Sequence, residues 1–231
     1  MPQLFPRKAN ALPTLSILGA LGGGVFVVLL ASYYLSPDFY EVGYQPEQPV
    51  PYSHAFHAGQ LGMDCRYCHN HVEQSPHANI PSTQTCMNCH GQIQTQSAKL
   101  LPVRESWATG EPIEWVQVNH LGDYAHFSHT AHVNVGVGCE SCHGRIDQME
   151  VVYQTSPMSM AWCLECHRAP EEYLRPPELV TVMGYDDGTN ADYADASMDF
   201  ESVREARVAA NLARVEAEQI HPPENCSACH Y

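Results

Sequence analysis

The most marked hydropathy feature of the chain is an uncharged apolar run near its N-terminus. From residue 9 to residue 37 there is no charged side chain, and "LSILGALGGGVFVVLLASYYL" fills the middle of the run. Because about 20 apolar residues of helix cross a hydrocarbon core of about 30 Å, this run predicts one transmembrane helix within 9–37. The three glycines at 22–24 favour close packing against another helix. Tyr33 and Tyr34 lie where an aromatic belt is expected.

A cleaved signal peptide is the competing interpretation of this run. Its apolar region would be shorter, and no clear A-x-A site follows, so we expect an uncleaved anchor. Arg7 and Lys8 precede the run, and the acids Asp38, Glu41 and Glu47 follow it. This asymmetry predicts a cytoplasmic N-terminus (1–8), a single-pass anchor in a bacterial inner membrane, and most of the chain in the periplasm.

Beyond the anchor, helical periodicity is clear in one stretch, about 200–219. Its apolar stripe is Val208, Leu212 and Val215, and Asp199 is a candidate cap. Residues 38–50 form a proline-rich linker, and 168–198 is irregular, with prolines and "YDDGTNADYADAS". The pattern therefore predicts a mostly α fold with extensive irregular structure and little strand.

The charge of the chain is strongly negative after the anchor. All 26 acidic residues follow position 37, against nine of the 11 basic ones, so this part carries about −17. Such a balance excludes nucleic-acid binding. It suits a basic soluble electron carrier as a transient partner, although an acidic surface can also serve solubility alone.

All ten cysteines fall in five copies of C-x-x-C-H, numbered here motifs 1 to 5 in chain order. The cysteine pairs are Cys65 and Cys68, Cys86 and Cys89, Cys139 and Cys142, Cys163 and Cys166, and Cys226 and Cys229. The histidines that end the motifs are His69, His90, His143, His167 and His230. Zinc knuckles and thioredoxin-like pairs need no histidine after the second cysteine, whereas c-type haem attachment does.

The spacing of the motif explains this chemistry. On one helical turn the two thiols point the same way and reach the two vinyl groups of a porphyrin, and the histidine supplies the proximal iron ligand. The sequence therefore predicts five covalently bound haem c groups, with no cysteine left for a disulfide. About 194 residues follow position 37, roughly 39 per motif, which leaves little for an ordinary core. We expect the porphyrins to form much of it.

The chain contains an internal duplication of a two-motif unit. "YSHAFH" precedes motif 1 and "FSHTAH" precedes motif 3, and each unit ends with a second motif. The predicted two-haem modules are 51–90 and 126–168, separated by a connector at 91–125. Residues 169–231 form a C-terminal segment with the fifth motif.

Low-spin electron-transfer haems need a second axial ligand, His or Met. The paired His54 and His57, and His129 and His132, lie at i and i+3 and can serve two neighbouring irons. We expect His57 to serve motif 1 and His132 to serve motif 3, with their partners reaching other haems. For the fifth ligand, His120, Met160 and His71 remain candidates, against surface or core-packing roles.

The stretches "LGMDCRYCHNHVEQSPHANIPSTQTCMNCH", "PVRESWATGEPIEWVQVNHLGDYAHFSHTAHVNVGVGCESCHGRIDQMEVV" and "MAWCLECHRAPEEYLRP" resemble the pentahaem cytochrome c subunit of bacterial alternative complex III. The resemblance covers about residues 50 to 177, and the paired histidines are also similar to those of class III multihaem cytochromes.

The resemblance implies an electron-transfer subunit of a quinol:electron-acceptor oxidoreductase. Its implied partners are an iron–sulfur protein, integral membrane quinol-binding subunits and a monohaem cytochrome, with a soluble carrier or terminal oxidase as acceptor. The anchor has no ionisable residue for quinol chemistry. Two alternatives are a stand-alone membrane quinol dehydrogenase and a catalytic multihaem reductase, which needs an open haem face.

Overall fold

The structure is a computed structural model that describes residues 6–185, 188–190 and 200–231. Residues 1–5 of the predicted cytoplasmic segment and the candidate cap Asp199 lie outside this range. The α-helices are α1 Leu12–Tyr34, α2 Pro37–Tyr40, α3 Cys65–Cys68, α4 Thr83–His90, α5 Leu101–Thr109, α6 His129–Val133, α7 Cys139–His143, α8 Met160–Arg168, α9 Phe200–Glu218 and α10 Cys226–Cys229. The remaining turns are a π-helical turn at Ala55–Gln60 and 3₁₀ turns at Arg7–Ala11, Ala98–Leu100, Ile146–Gln148, Pro170–Glu172 and Pro177–Leu179.

The fold is mostly helical with much irregular structure, as the sequence predicts. In the described residues the extended pairing is a single isolated antiparallel bridge between Val137 and Leu174. Most helices are short, and α3, α4, α6, α7, α8 and α10 each contain a C-x-x-C-H motif or a histidine pair.

The apolar N-terminal run forms the longest helix, α1. The continuous helical segment Lys8–Tyr34 is long and apolar enough to cross a membrane by length and composition, and none of it is buried by the rest of the chain. At the end of this helix, Tyr33 and Tyr34 form a three-ring cluster with Phe39 of α2, with centroids 4.7–5.3 Å apart. Such a cluster suits a membrane–water interface.

The predicted linker is attached to the second module. The N–H of Gly43 donates to the carbonyl of Gln154 (2.7 Å), and the N–H of Gln154 donates to Tyr44 (3.0 Å). The side chain of Gln45 also donates to the carbonyl of Val151 (3.0 Å). Gln154 is 3% exposed, so this junction is well covered. These bonds connect the base of α1 to the segment between motifs 3 and 4.

The helix at 200–219 is present as α9, but it packs through different residues from those expected. Leu212, predicted to be part of a buried apolar stripe, is 46% exposed, whereas Asn211 is 8% exposed. The Asn211 amide donates to the carbonyls of Glu171 (2.9 Å) and Leu174 (2.5 Å). The predicted stripe is therefore wrong at Leu212, because α9 meets irregular backbone whose carbonyls need donors.

The apolar core of the polypeptide is small. In the described residues, the buried hydrophobic side chains are Val50, Val103, Val133, Met149, Leu174 and Val180. A domain of this size normally buries far more apolar surface. The interior of the domain is therefore arranged around something other than its own side chains, which fits the sequence-based expectation of porphyrin packing.

Candidate metal centres

Each C-x-x-C-H motif lies on a short helical turn that presents both thiols and the histidine together. Motifs 1, 3 and 5 form α3, α7 and α10, while motifs 2 and 4 lie in the C-terminal part of α4 and α8. Side chains of Asp64, Ser159 and Asn225 cap three of these turns by accepting backbone N–H groups. The caps hold the first thiol of motifs 1 and 5 at the very start of its turn.

The histidines that end the motifs share one hydrogen-bonding pattern. The Nδ1 atoms of four of them face backbone carbonyls: His69 faces Asn79 (2.7 Å), His90 faces Ile93 (3.1 Å), His167 faces Pro223 (2.7 Å) and His230 faces Tyr124 (2.8 Å). An imidazole that donates from Nδ1 carries its free lone pair on Nε2. This is the tautomer that a metal-binding histidine requires.

Three of the paired histidines have the same arrangement. Nδ1 of His57 faces the carbonyl of Ser53 (2.8 Å), and Nδ1 of His132 faces that of Ser128 (2.8 Å). Nδ1 of His129 faces the carbonyl of Pro76 (2.9 Å), in the loop that follows motif 1. All three can offer Nε2 to a metal, as the sequence-based hypothesis requires.

An aromatic ring supports each histidine pair. Tyr52 stacks on His57 with centroids 4.4 Å apart and meets His54 edge-on at 4.8 Å. Phe127 stacks on His132 at 4.5 Å and meets His129 edge-on at 4.9 Å. The aromatic residue of the repeat, visible in the sequence but given no role there, thus fixes the direction of both rings.

Three of the candidate histidines each have the ring of a motif histidine at nearly the same centroid distance. The ring centroids are 6.2 Å apart for His57 and His90, 6.5 Å for His129 and His143, and 6.0 Å for His132 and His167. A metal–imidazole bond is about 2 Å long, so two imidazoles on opposite sides of one metal have centroids about 6.3 Å apart. The observed distances therefore fit two axial ligands of one iron.

This pairing differs from the one expected within each module. His57 faces the histidine of motif 2 rather than motif 1, and His132 faces that of motif 4 rather than motif 3. His129 faces the histidine of motif 3. The ring contacts therefore favour motif 2 for His57 and motif 4 for His132, and the pairing expected from the sequence stays a prediction.

His54 is the half-buried paired histidine left for motif 1. Its partial burial lowers its pKa to about 4, and His69 lowers it more than the other neighbouring histidines do. Its Nδ1 is buried without a hydrogen-bond partner. Since burial also lowers the pKa of His143 to about 4, both rings are neutral at pH 7, the state in which imidazole binds a metal.

The candidates for a fifth distal ligand are not brought together with a motif. His120 and His71 are exposed, and Met160 is 67% exposed at the start of α8. His230 instead has the ring of Tyr124 near it, with centroids 5.8 Å apart. Ligation by His120, Met160 or His71 stays a prediction.

Contacts between motifs give their spatial order. The thiols of Cys65 and Cys139 are hydrogen-bonded, which joins motifs 1 and 3. Burial and the charge of Cys86 raise the pKa of Cys68, so motif 2 lies near motif 1. Burial and the charge of Cys229 raise the pKa of Cys163, so motif 5 lies near motif 4. The histidine pair of α6 links motifs 3 and 4. The resulting row is 2–1–3–4–5.

A buried ion pair lies within motif 3. The guanidinium of Arg175, which has no exposed surface, donates to Glu140 between Cys139 and Cys142 (2.8 Å). The carboxylate also accepts the backbone N–H groups of Gly184 (2.6 Å) and Tyr185 (3.0 Å). Arg175 in turn donates to the carbonyl of Val182 (2.8 Å). Sequence reasoning missed this pair, since neither charge is periodic or close in sequence to the other.

The side chains of these sites are arranged as facing pairs. In the part of the chain that the structure describes, no group of three or more His, Cys, Asp or Glu side chains has metal-site geometry. Attachment turns with a histidine of the correct tautomer, opposed by a second histidine, define a multihaem cytochrome c. The family is shown directly: the chain belongs to cytochrome c7 and related cytochrome c, whose pattern matches residues 50–104 and 125–231.

A curated relative is the multihaem cytochrome c subunit of menaquinone reductase from Nitratidesulfovibrio vulgaris. It is 32% identical over 123 residues, which cover 52% of this chain and 56% of the relative. The chain thus spans about half the length of the relative that it matches. As a member of the cytochrome c family, the chain binds haem c covalently.

Proposed function

We propose that this chain is a membrane-anchored pentahaem electron-transfer subunit of a quinol:electron-acceptor oxidoreductase of the alternative complex III type. Its family membership, its menaquinone reductase relative and the resemblance over residues 50 to 177 support this proposal. Bound haem c supplies one-electron chemistry at iron. The protein's own task is to hold five such groups in a fixed order.

The proposed ligands follow from the hydrogen bonds and ring distances. The ten cysteines would attach the haems, and His69, His90, His143, His167 and His230 would be the iron ligands within the motifs. The second ligands would be His54 for motif 1, His57 for motif 2, His129 for motif 3 and His132 for motif 4. For motif 5, His120, Met160 and His71 remain the candidates.

The observation that carries the proposal is the set of three opposed ring pairs at 6.0–6.5 Å. An iron with two protein ligands has no open position for a substrate, so these sites favour electron relay over the chemistry of a multihaem reductase. The contiguous order 2–1–3–4–5 provides a continuous route along the domain.

The proposed partners are those of a membrane complex. We place the anchor in the bacterial inner membrane with the haem domain in the periplasm, where c-type haem is attached. An iron–sulfur subunit and integral membrane quinol-binding subunits would deliver electrons. A monohaem cytochrome, soluble carrier or terminal oxidase would accept them.

The test compares the purified complex with the chain purified alone. Menaquinol should reduce the haems of the complex within the turnover time, while the isolated chain, reducible by dithionite, should not respond to menaquinol. Quinol oxidation by the isolated chain would contradict the proposal and support a stand-alone quinol dehydrogenase.

The relative's name raises one further candidate, net electron flow toward menaquinone. The same complex distinguishes the two directions. Reduction of menaquinone by a pre-reduced periplasmic cytochrome, without measurable quinol oxidation, would assign the chain to a quinone reductase.

A further inference from the structure

The histidine of motif 3 differs from the other proximal histidines in what holds its ring. Four of them face a backbone carbonyl, whereas Nδ1 of His143 faces the side-chain amide of Asn119 at 3.0 Å. Asn119 is in the connector, 24 residues before His143. Sequence reasoning selected its neighbour His120 as a candidate ligand, but His120 is exposed and Asn119 makes the contact.

The chemistry of ligation decides how the amide is oriented. A histidine that binds iron through Nε2 carries its proton on Nδ1, so its neighbour must be an acceptor. The oxygen and nitrogen of an amide are assigned from such networks rather than observed. In the structure Nδ2 is the amide atom 3.0 Å from Nδ1 of His143, and Oδ1 is buried without a partner. Rotating the amide by 180° puts Oδ1 at that distance, where Nδ1–H donates to it.

The position of Asn119 is fixed from outside the site. The side chain of Gln48 donates to the carbonyl of Val116 (2.8 Å) and accepts its N–H (3.0 Å). Gln117 donates to the carbonyl of Asn119 itself (2.9 Å). The two bonds of Gln48 tie the connector to the linker, and the bond of Gln117 lies within the connector beside Asn119. Together they hold the Asn119 amide in one place.

We infer that Asn119 is the positioning residue for His143 and that it sets the reduction potential at motif 3. This inference rests on the proposed ligation by His143. Partners of a ligand's second nitrogen tune how strongly it donates electrons to the metal. Because this partner is a side chain, one substitution can change the potential at motif 3, next to motif 1 and therefore at the junction of the two modules.

The test uses two substitutions with opposite expected effects. In Asn119→Asp, a carboxylate accepts the Nδ1 proton more strongly and adds negative charge, so one of the five redox components should move to lower potential. In Asn119→Leu the acceptor is lost and the same component should move to higher potential. Gln96→Leu, which changes an exposed amide elsewhere in the connector, should leave all components in place.

The spectroscopic signature separates tuning from structural damage. The rings of His129 and His143 are within 3° of parallel, which predicts a distinct low-spin electron paramagnetic resonance signal. That signal should change in Asn119→Leu, where the ring of His143 is free to turn, with the haem content unchanged. Shifts of the same sign in both variants, loss of one haem, or no shift in Asn119→Asp would overturn the inference. A wild-type protein without a low-spin haem at motif 3 would instead overturn the proposed ligation.

Discussion

At the scale of single residues, the repeat encodes more than its two histidines. In "YSHAFH" and "FSHTAH" the aromatic side chain stacks on the second histidine, and the serine carbonyl accepts its Nδ1 proton. A five-membered ring on a flexible side chain is thereby held in one direction before any metal binds. This lowers the entropy lost on ligation.

Removing one distal histidine should leave one iron, and only one, without its second protein ligand. We expect His57→Ala to keep all five haems, because the cysteines still attach them, and to bind about one equivalent of carbon monoxide when reduced. His77→Ala, at an exposed histidine in the loop after motif 1, is the matched control and should bind no more than the unaltered protein. Binding of several equivalents, or of none, by His57→Ala would contradict the assigned ligand set.

The angles between opposed rings make a second residue-scale prediction. They are 3° for His129 and His143, 34° for His132 and His167, and 68° for His57 and His90. Parallel ligand planes split the iron d orbitals most strongly, so the first pair should give a rhombic low-spin signal and the last a highly anisotropic one. Electron paramagnetic resonance of the oxidised protein tests this. A spectrum with a single type of low-spin signal would contradict the ring geometry.

At the scale of elements, the C-terminal segment is fastened to motif 3. Arg175 and Glu140 are both buried, and Arg214 on α9 donates to the carbonyls of Arg175 (2.8 Å) and Val135. A Cβ at Gly138 would overlap the guanidinium of Arg175, so glycine is required directly before the motif. Residues 174–185 therefore form a clamp over α7.

Breaking the clamp should be costly. Arg175→Met leaves the buried carboxylate of Glu140 without its countercharge, and we expect a loss of about 3–5 kcal/mol in unfolding free energy. Arg204→Met removes exposed ion pairs with Glu172 and Glu201 and should cost at most about 1 kcal/mol. Thermal unfolding of the haem-loaded proteins compares the two. Equal losses of unfolding free energy in the two variants would mean that the buried ion pair stabilises the fold no more than the exposed ones.

Many residues of the fold and of the candidate sites could be predicted from the sequence, and the reason differs from one element to the next. The motifs and histidine pairs are local patterns of fixed spacing, so their residues could be identified directly. Which histidine lies near which motif depends on how the modules pack, and the ring contacts of His57 and His132 are with motifs 2 and 4 rather than with the motifs expected from the sequence. The docking of α9 through Asn211 could not be predicted, because backbone carbonyls of a loop leave no periodic signal.

At the scale of the whole molecule, the negative charge of the part after the anchor affects how partners approach. The part after the anchor carries about −17, which attracts cationic partners over a distance set by salt. We expect the rate of electron transfer to a basic soluble cytochrome to fall about tenfold or more between low and physiological ionic strength. Transfer to a neutral small-molecule acceptor is the control and should change little. Equal salt dependence would mean that the acidity serves solubility alone.

We infer that the five motifs form one row in the order 2–1–3–4–5 and that motifs 1 to 4 each hold an iron with two histidine ligands. A high-resolution experimental structure of the haem-loaded complex tests it most directly, by the axial ligands and the distances between neighbouring porphyrin edges. We predict His57 opposite His90, His129 opposite His143 and His132 opposite His167, with every neighbouring pair close enough for rapid electron transfer. A different pairing, a vacant axial position along the first four sites, or one haem isolated from the rest would contradict the account.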